Sequence, residues 1–330
     1  EKTGSWVYSA TTSEINFPLD HPQYLGTFPN LLSKAKDKIK NHDLVISVGT
    51  NVFDGFFYMR GQLFDNDTFH AHIDSSASTI GRNEKTDLGI ISDPKSALVD
   101  LNLELNKKMN GEIKEKISLR KKEIQSQTVS VKEQEKNIIN ENYNQSPMSA
   151  HRMFSEIFKS ISNYIVIDDS VSSRQALLTA NKFKPGEMHG ERGGAIGWGM
   201  GATMGVKLAN PDKNVIGIIG DGSAMMTVQA LWTAANSNIP VIYIICNNKS
   251  YRVLKTNMQI YKSEILEESI QNDKYFAMDF NPPFDFAEIA KTFGLDGYKI
   301  TNPDEIKQYL SLAVKSNKTT VLDINIDGTV

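Results

Sequence analysis

Two short apolar runs separated by the length of one helix constrain the fold of this chain more than anything else in it. Val215-Ile216-Gly217-Ile218-Ile219 has the make-up of a buried strand, and it stops at Gly220-Asp221-Gly222-Ser223, where a helix is expected to start. The next run, 241–246, stops at Asn247-Asn248, and 24 residues lie between Gly222 and Asn247. That interval accommodates one crossover helix, so the two runs are expected to be neighbouring parallel strands with their carboxyl ends on the same edge. Open parallel sheets bind ligands just outside that edge.

The same alternation extends in both directions. Trp6-Val7-Tyr8, Leu44-Val45-Ile46-Ser47-Val48, Phe69-His70-Ala71-His72-Ile73 and Leu88-Gly89-Ile90-Ile91 are β-rich, and apolar residues have helical spacing over 31–39 and 94–105. Further on, helices expected over 149–162, 196–208, 227–237, 286–293 and 303–316 alternate with strands over 164–168, 214–219, 241–246 and 320–326. Such a series predicts an α/β chain of two doubly wound parallel-sheet domains. With 330 residues, the chain has the length of two domains at about 100 to 200 residues each. We place an incomplete, Rossmann-like domain at 1–106 and a second domain at 148–330. Between them, 107–147 is dominated by Lys, Glu, Gln and Asn, nearly lacks aromatics, and reads as a solvated helix followed by a linker. The stretch 257–283, without clear periodicity, is expected to be an irregular loop, mobile without a ligand.

Composition narrows the function classes. Apolar residues make up 40% and charged residues 23%, with a net charge of -3 and no basic face, so nucleic acid is not expected as a partner. No apolar run reaches about 18 residues, and the opening Glu1-Lys2-Thr3-Gly4 lacks the charged-then-apolar order of an export signal. A cytoplasmic setting away from membranes is therefore the expectation. The single cysteine, Cys246, excludes disulfides within the chain and, inside an apolar run, is expected to be a buried thiol.

The chemistry gathers at the two strand ends. Gly220 and Gly222 allow backbone to approach a phosphate closely, a helix start offers free N–H groups, and Asp221 offers a hard oxygen to Mg2+. Taken alone, Gly-Asp-Gly-Ser fits a tight turn and a capped helix equally well. Asn248 at the next strand end makes the difference, because a carboxylate and an amide oxygen can then share one cation and neutralise a diphosphate.

This pattern resembles the cofactor motif of the thiamin-diphosphate (ThDP) enzymes, the family of 2-oxo-acid decarboxylases and acetolactate synthases. Ile218 to Tyr251, with Ala230-Leu231-Trp232-Thr233-Ala234-Ala235 and Asn238-Ile239-Pro240, is especially similar to the benzoylformate decarboxylase branch. Phe17-Pro18-Leu19-Asp20-His21-Pro22 and Val48-Gly49-Thr50-Asn51-Val52-Phe53 resemble its middle domain. The resemblance implies Asp221, Asn248 and the main-chain carbonyl of Ser250 as Mg2+ ligands. It implies cofactor contacts from Ser172, Ser223, Gly220, Gly222 and Tyr251, with Val171 standing where the family has a hydroxyl residue. Gly194 would offer its carbonyl to the aminopyrimidine, and Ile196 would be the apolar residue that keeps ThDP bent. His21 would be a proton-transfer group, although a histidine before proline also suits a turn. His42, His70, His72, His151 and His189 receive no role.

The resemblance also implies what other parts of such enzymes supply. The glutamate that protonates the aminopyrimidine belongs to a pyrimidine-binding domain with no counterpart in this sequence, so a partner domain, in cis or on another chain, is expected. A homodimer or homotetramer is implied for the intact enzyme. The expected reaction is decarboxylation of a 2-oxo acid to an aldehyde, with an acetolactate-synthase-type carboligase as the alternative. A non-catalytic cofactor-binding subunit is the third reading. Val253 and Asn257 stand where the benzoylformate enzyme has an alanine and a phenylalanine lining its aryl pocket, which argues against simple transfer of that substrate.

Overall fold

The computed structural model describes residues 1–330 apart from 11–12, 53–59, 192 and 270–274. The chain divides into two compact units, Glu1–Thr12 with His21–Val131, and Ser13–Asp20 with Lys132–Val330. Residues 107–147 are mainly a continuation of helix, and the division falls inside it.

In the first unit, β1 (Val7–Ser9) pairs in parallel with β2 (Tyr24–Thr27). After α1 (Leu32–Ile39), strands β3 (Leu44–Val48), β4 (Phe69–Asp74) and β5 (Leu88–Ile91) form a parallel sheet in that order. Helix α1 buries Leu32, Ala35 and Ile39 in a core with Val52, Leu63 and Phe64. His70 and His72 are strand residues, buried rather than on the surface. His70 stacks on Phe64 and lies within hydrogen-bond distance of Ser47 Oγ and the Lys85 carbonyl.

The register places Leu44, Ile46, Phe69, Leu88 and Ile90 on one face of this sheet, and each is 36% to 48% exposed. Helix α2 (Pro94–Lys108), capped by Asp93 at its amino end, buries none of its residues. Ala71 and Ile73 of the central strand share this sheet face and are buried, so it is open mainly along its outer strands and at Phe69.

Helix α3 (Gly111–Glu141) runs 31 residues where a helix and then a linker were expected. Its buried residues Ile117, Ile124 and Thr128 recur at spacings of seven and four, which keeps them on one face of a helix. The charged majority hid that stripe in the sequence.

The second unit is a six-stranded, wholly parallel sheet. Its strands are β6 (Tyr164–Asp169), β7 (Met188–Gly190), β8 (Asn214–Gly220), β9 (Ile242–Asn247), β10 (Asp296–Ile300) and β11 (Thr320–Asn325), in the order β10-β11-β9-β8-β6-β7. Helices α4 (Ala150–Ser160), α5 (Arg174–Ala180), α6 (Gly199–Ala209), α7 (Asp221–Met226), α8 (Ala230–Asn236), α9 (Arg252–Ile260), α10 (Phe286–Thr292) and α11 (Ile306–Ser316) complete the unit. Met200, Met204, Leu231, Ala234, Phe286 and Ala290 form one core layer with Val241, Tyr243 and Ile245 of β9 or its entry. Ile242, Ile244 and Cys246 point to the other face and are equally buried. Covering on both faces is why these strands read as unbroken apolar runs, and the doubly wound expectation holds. Cys246 is buried, as expected.

The expected irregular stretch is helical at its start. Helix α9 continues through a π-helical turn, Tyr261–Ile265, and residues 270–274 lie outside the described residues. Among the described residues no helix is long and apolar enough to cross a membrane.

Candidate functional site

The chain leaves β6 toward β7 on one side and returns to β8 on the other, so the carboxyl ends of β6 and β8 flank a topological switch point. Every expected site residue of the second unit sits at this edge or in the turn leading into α6.

Asp221 is the first residue of α7, immediately after β8, and is almost fully buried. One carboxylate oxygen accepts from Gly222 N at 2.8 Å and the other from Lys249 N at 2.6 Å, across to the end of β9. Asn248 Oδ1 accepts from Ser250 N at 3.0 Å and Ser250 Oγ at 3.1 Å, and both residues are buried. Lys249, with φ of 61°, turns the chain between them in the left-handed region. The two strand ends are thus tied together as the spacing of the runs implies. Burial pushes the Asp221 pKa up to about 6, against the pull of the N–H groups of Gly222, Lys249, Ser250 and Asn248. Among the described residues no cation forms an ion pair with this carboxylate. One carboxylate with amide and carbonyl oxygens suits Mg2+, which takes few protein ligands and completes its shell with phosphate and water.

Gly222 is required by packing. A Cβ there would lie 2.5 Å from the Tyr251 ring, which in turn meets Phe280 edge-on at 4.7 Å. Tyr251 N donates to the Met278 carbonyl and Phe280 N to the Lys249 carbonyl, so chain far beyond α9 returns to brace the Asn248–Tyr251 segment. Lys255, buried on α9, pairs with Asp279 of that returning strand. Val253 and Asn257 lie one helical turn apart on α9, hence on one face.

At the end of β6, Ser172 belongs to the 3-10 turn Val171–Ser173, half-buried. Val171 has φ of 51°, a left-handed conformation that strongly disfavours a β-branched residue and costs about 1–3 kcal/mol. Val171→Gly is therefore expected to raise stability by about 1 kcal/mol, part of the relieved strain being offset by the entropy of glycine. An unchanged or lower denaturant midpoint would mean that Val171 carries no such strain.

Ser223 is buried at the start of α7. Gly194 and Ile196 lie in the exposed turn before α6, with the Ile196 side chain 39% exposed, and a cleft lined by Ser13, Glu14, His189, Gly190, Ala195 and Trp198 opens beside them. His21 belongs to the first unit, where Nδ1 accepts from Gln23 N and Nε2 lies 3.3 Å from the Glu1 carboxylate.

Two carboxylates escaped the sequence reading. Asp169 ends β6 and accepts from Gly197 N and Gly199 N, while Glu191 accepts from Gly194 N. The signal was the acidic pair Asp168-Asp169 closing an apolar strand at a ligand-binding edge.

Comparison with known proteins gives a consistent picture. The model of the thiamine pyrophosphate enzyme central domain matches residues 1–101, and that of the thiamine pyrophosphate enzyme C-terminal TPP binding domain matches residues 173–324. A probable acetolactate synthase large subunit of Methanocaldococcus jannaschii is 28% identical over 94% of this chain and 51% of its own length. A benzoylformate decarboxylase of Pseudomonas aeruginosa is 28% identical over 47% of this chain and 29% of its own. Among solved structures, the benzoylformate decarboxylase of Polynucleobacter necessarius has a TM-score of 0.76 at 17% identity, covering all of this chain and 58% of that one. The thiamine diphosphate-dependent 4-hydroxybenzoylformate decarboxylase of Rhodococcus jostii has a TM-score of 0.74 at 22% identity, covering 98% and 56%. These structural likenesses concern the fold. The chain spans about half the length of the first relatives it matches.

Proposed function

Because the chain belongs to the thiamin-diphosphate enzyme family and carries its central and C-terminal cofactor-binding domains, we propose that it supplies the Mg2+-diphosphate half of a site that decarboxylates a 2-oxo acid. The observation that carries this reading is the joining of Asp221 to the Asn248–Ser250 segment at adjacent strand ends. When bound, ThDP supplies a nucleophilic carbon for the 2-oxo carbonyl and a sink for the electrons left as CO2 departs.

The protein's part is to bind and orient. Asp221, Asn248 and the Ser250 carbonyl hold Mg2+. Ser172 and Ser223 contact the diphosphate, and Gly220 and Gly222 let main chain come close to it. Gly194 would accept from the aminopyrimidine, Ile196 would support the cofactor with its apolar side chain, Tyr251 would close the diphosphate end, and His21 would move a proton. The residues fit this group chemically, since a buried, counter-charge-poor carboxylate is matched by a cation and the exposed turn at Gly194 and Ile196 is open to a ligand.

The reading includes a further domain, in cis or on a second polypeptide, and a homodimer or homotetramer in the cytoplasm. The open apolar face of Leu44, Ile46, Phe69, Leu88 and Ile90 supports the need for more protein around the first unit. A second reading, carboligation of two 2-oxo acids to a 2-hydroxy ketone, is favoured by the acetolactate synthase likeness over nearly the whole chain.

Product analysis separates the two. The full-length gene product with ThDP and Mg2+, given a panel of aryl and alkyl 2-oxo acids, is expected to release CO2 and the matching aldehyde. A 2-hydroxy ketone as main product favours the second reading, and no CO2 from any substrate removes both.

A further inference from the structure

We propose that Asp169 is a positioning residue that sets the turn presenting Gly194 and Ile196; the proposal deepens the cofactor reading above and rests on it. Asp169 ends β6 with 0% exposure. One of its oxygens, Oδ2, accepts from Gly197 N at 2.9 Å and Gly199 N at 3.1 Å. A single side chain thereby joins the turn expected to face the aminopyrimidine to the end of β6.

Close packing makes this link stiff. A Cβ on Gly199 would lie 2.5 Å from Asp169 Cβ and 2.7 Å from Ile219 Cδ1, so backbone at 199 rests directly on the ends of β6 and β8. Gly197, at φ of 95°, makes the bend that brings both N–H groups onto one oxygen. The opposite end of the turn is held similarly. Glu191 accepts from Gly194 N, its other oxygen lies 4.0 Å from Arg174, and Arg174 also pairs with Asp168. The turn is slung between two carboxylates anchored beside the same strand end.

Retaining a carboxylate here has a cost. Asp169 Oδ1 is buried without a hydrogen-bond partner, and burial raises the pKa of the group against the pull of the Gly199 and Gly197 N–H donors. Hydrogen bonds to an ionised acceptor are about twice as strong as neutral ones, which is what a solvent-exposed turn such as 193–196 needs in order to keep one shape. The parallel ladders of β6 are complete without those bonds.

Hydrogen exchange and cofactor titration test the proposal on the full-length gene product, comparing the parent with Asp169→Ala and Asp169→Asn. In Asp169→Ala, exchange over 193–199 should accelerate tenfold or more while β8 and β9 keep their protection, and affinity for Mg2+-ThDP should fall about tenfold, with Mg2+-pyrophosphate affected much less. Asp169→Asn keeps an acceptor for both glycines and should restore both readouts to within a few-fold. Unchanged exchange in Asp169→Ala, or equal loss of protection throughout β8 and β9, overturns the positioning role. Should the parent fail to bind ThDP, the cofactor reading falls, and the exchange data still decide whether Asp169 sets the turn.

Discussion

Asp221→Ala is expected to abolish Mg2+-dependent ThDP binding in the intact enzyme, a loss of a hundredfold or more, while leaving the fold in place. The side chain is buried between β8 and β9, and its two oxygens hold Gly222 N and Lys249 N. Those N–H groups lose an acceptor, yet the ladder of β8 and β9 continues independently beneath them. Removing the carboxylate removes the only formal negative charge that the expected ligand set offers, and Mg2+ held by an amide and a carbonyl alone loses most of its attraction. Asp221→Asn is the companion variant, since it preserves size and polarity and tests the charge. Titration calorimetry with and without Mg2+ provides the readout, with circular dichroism to verify folding. Cofactor affinity unchanged in both variants would remove Asp221 from the metal site.

The 330-residue chain alone should show no measurable decarboxylase activity. Family resemblance places the carboxyl group that supports the reactive aminopyrimidine tautomer, and the second wall of the closed site, in a pyrimidine-binding domain, whereas the domain models that match this chain are the central and the C-terminal ones. Within the second unit the turn carrying Gly194 and Ile196 faces solvent, and a cofactor held only by its diphosphate end would leave its pyrimidine in water. Adding a pyrimidine-binding domain, fused or as a separate polypeptide, should restore turnover. If the purified chain, verified by mass spectrometry to contain no longer species, decarboxylates any 2-oxo acid at a ThDP-dependent rate, a carboxylate within these residues takes the glutamate's place.

Much of this organisation was legible in the chain. The runs ending at Gly220 and Asn247 are apolar at every position because helices cover both faces of the sheet, so a parallel α/β class and the two strand ends followed from local pattern. Asp221 and Asn248 followed with them, since neighbouring strand ends in a parallel sheet lie side by side. Helix α3 was misjudged in part because charge outweighed the spacing of Ile117, Ile124 and Thr128. The start of 257–283 was misjudged because α9 is short and its buried residue is a lysine, Lys255, whose partner Asp279 lies 24 positions away.

Tertiary structure alone decided which distant groups meet. Asp169 reaches Gly197 and Gly199 across 28 and 30 positions, and Tyr251 meets Met278 through main-chain atoms that carry no side-chain signature. Likewise, only the register shows that Leu44, Phe69 and Leu88 share one exposed face. Periodicity reports how a residue sits on its own helix or strand, because that depends on backbone geometry repeated every few residues. Contacts between elements depend on how those elements pack, and this is fixed by the summed burial of many side chains, which no single stretch of sequence contains.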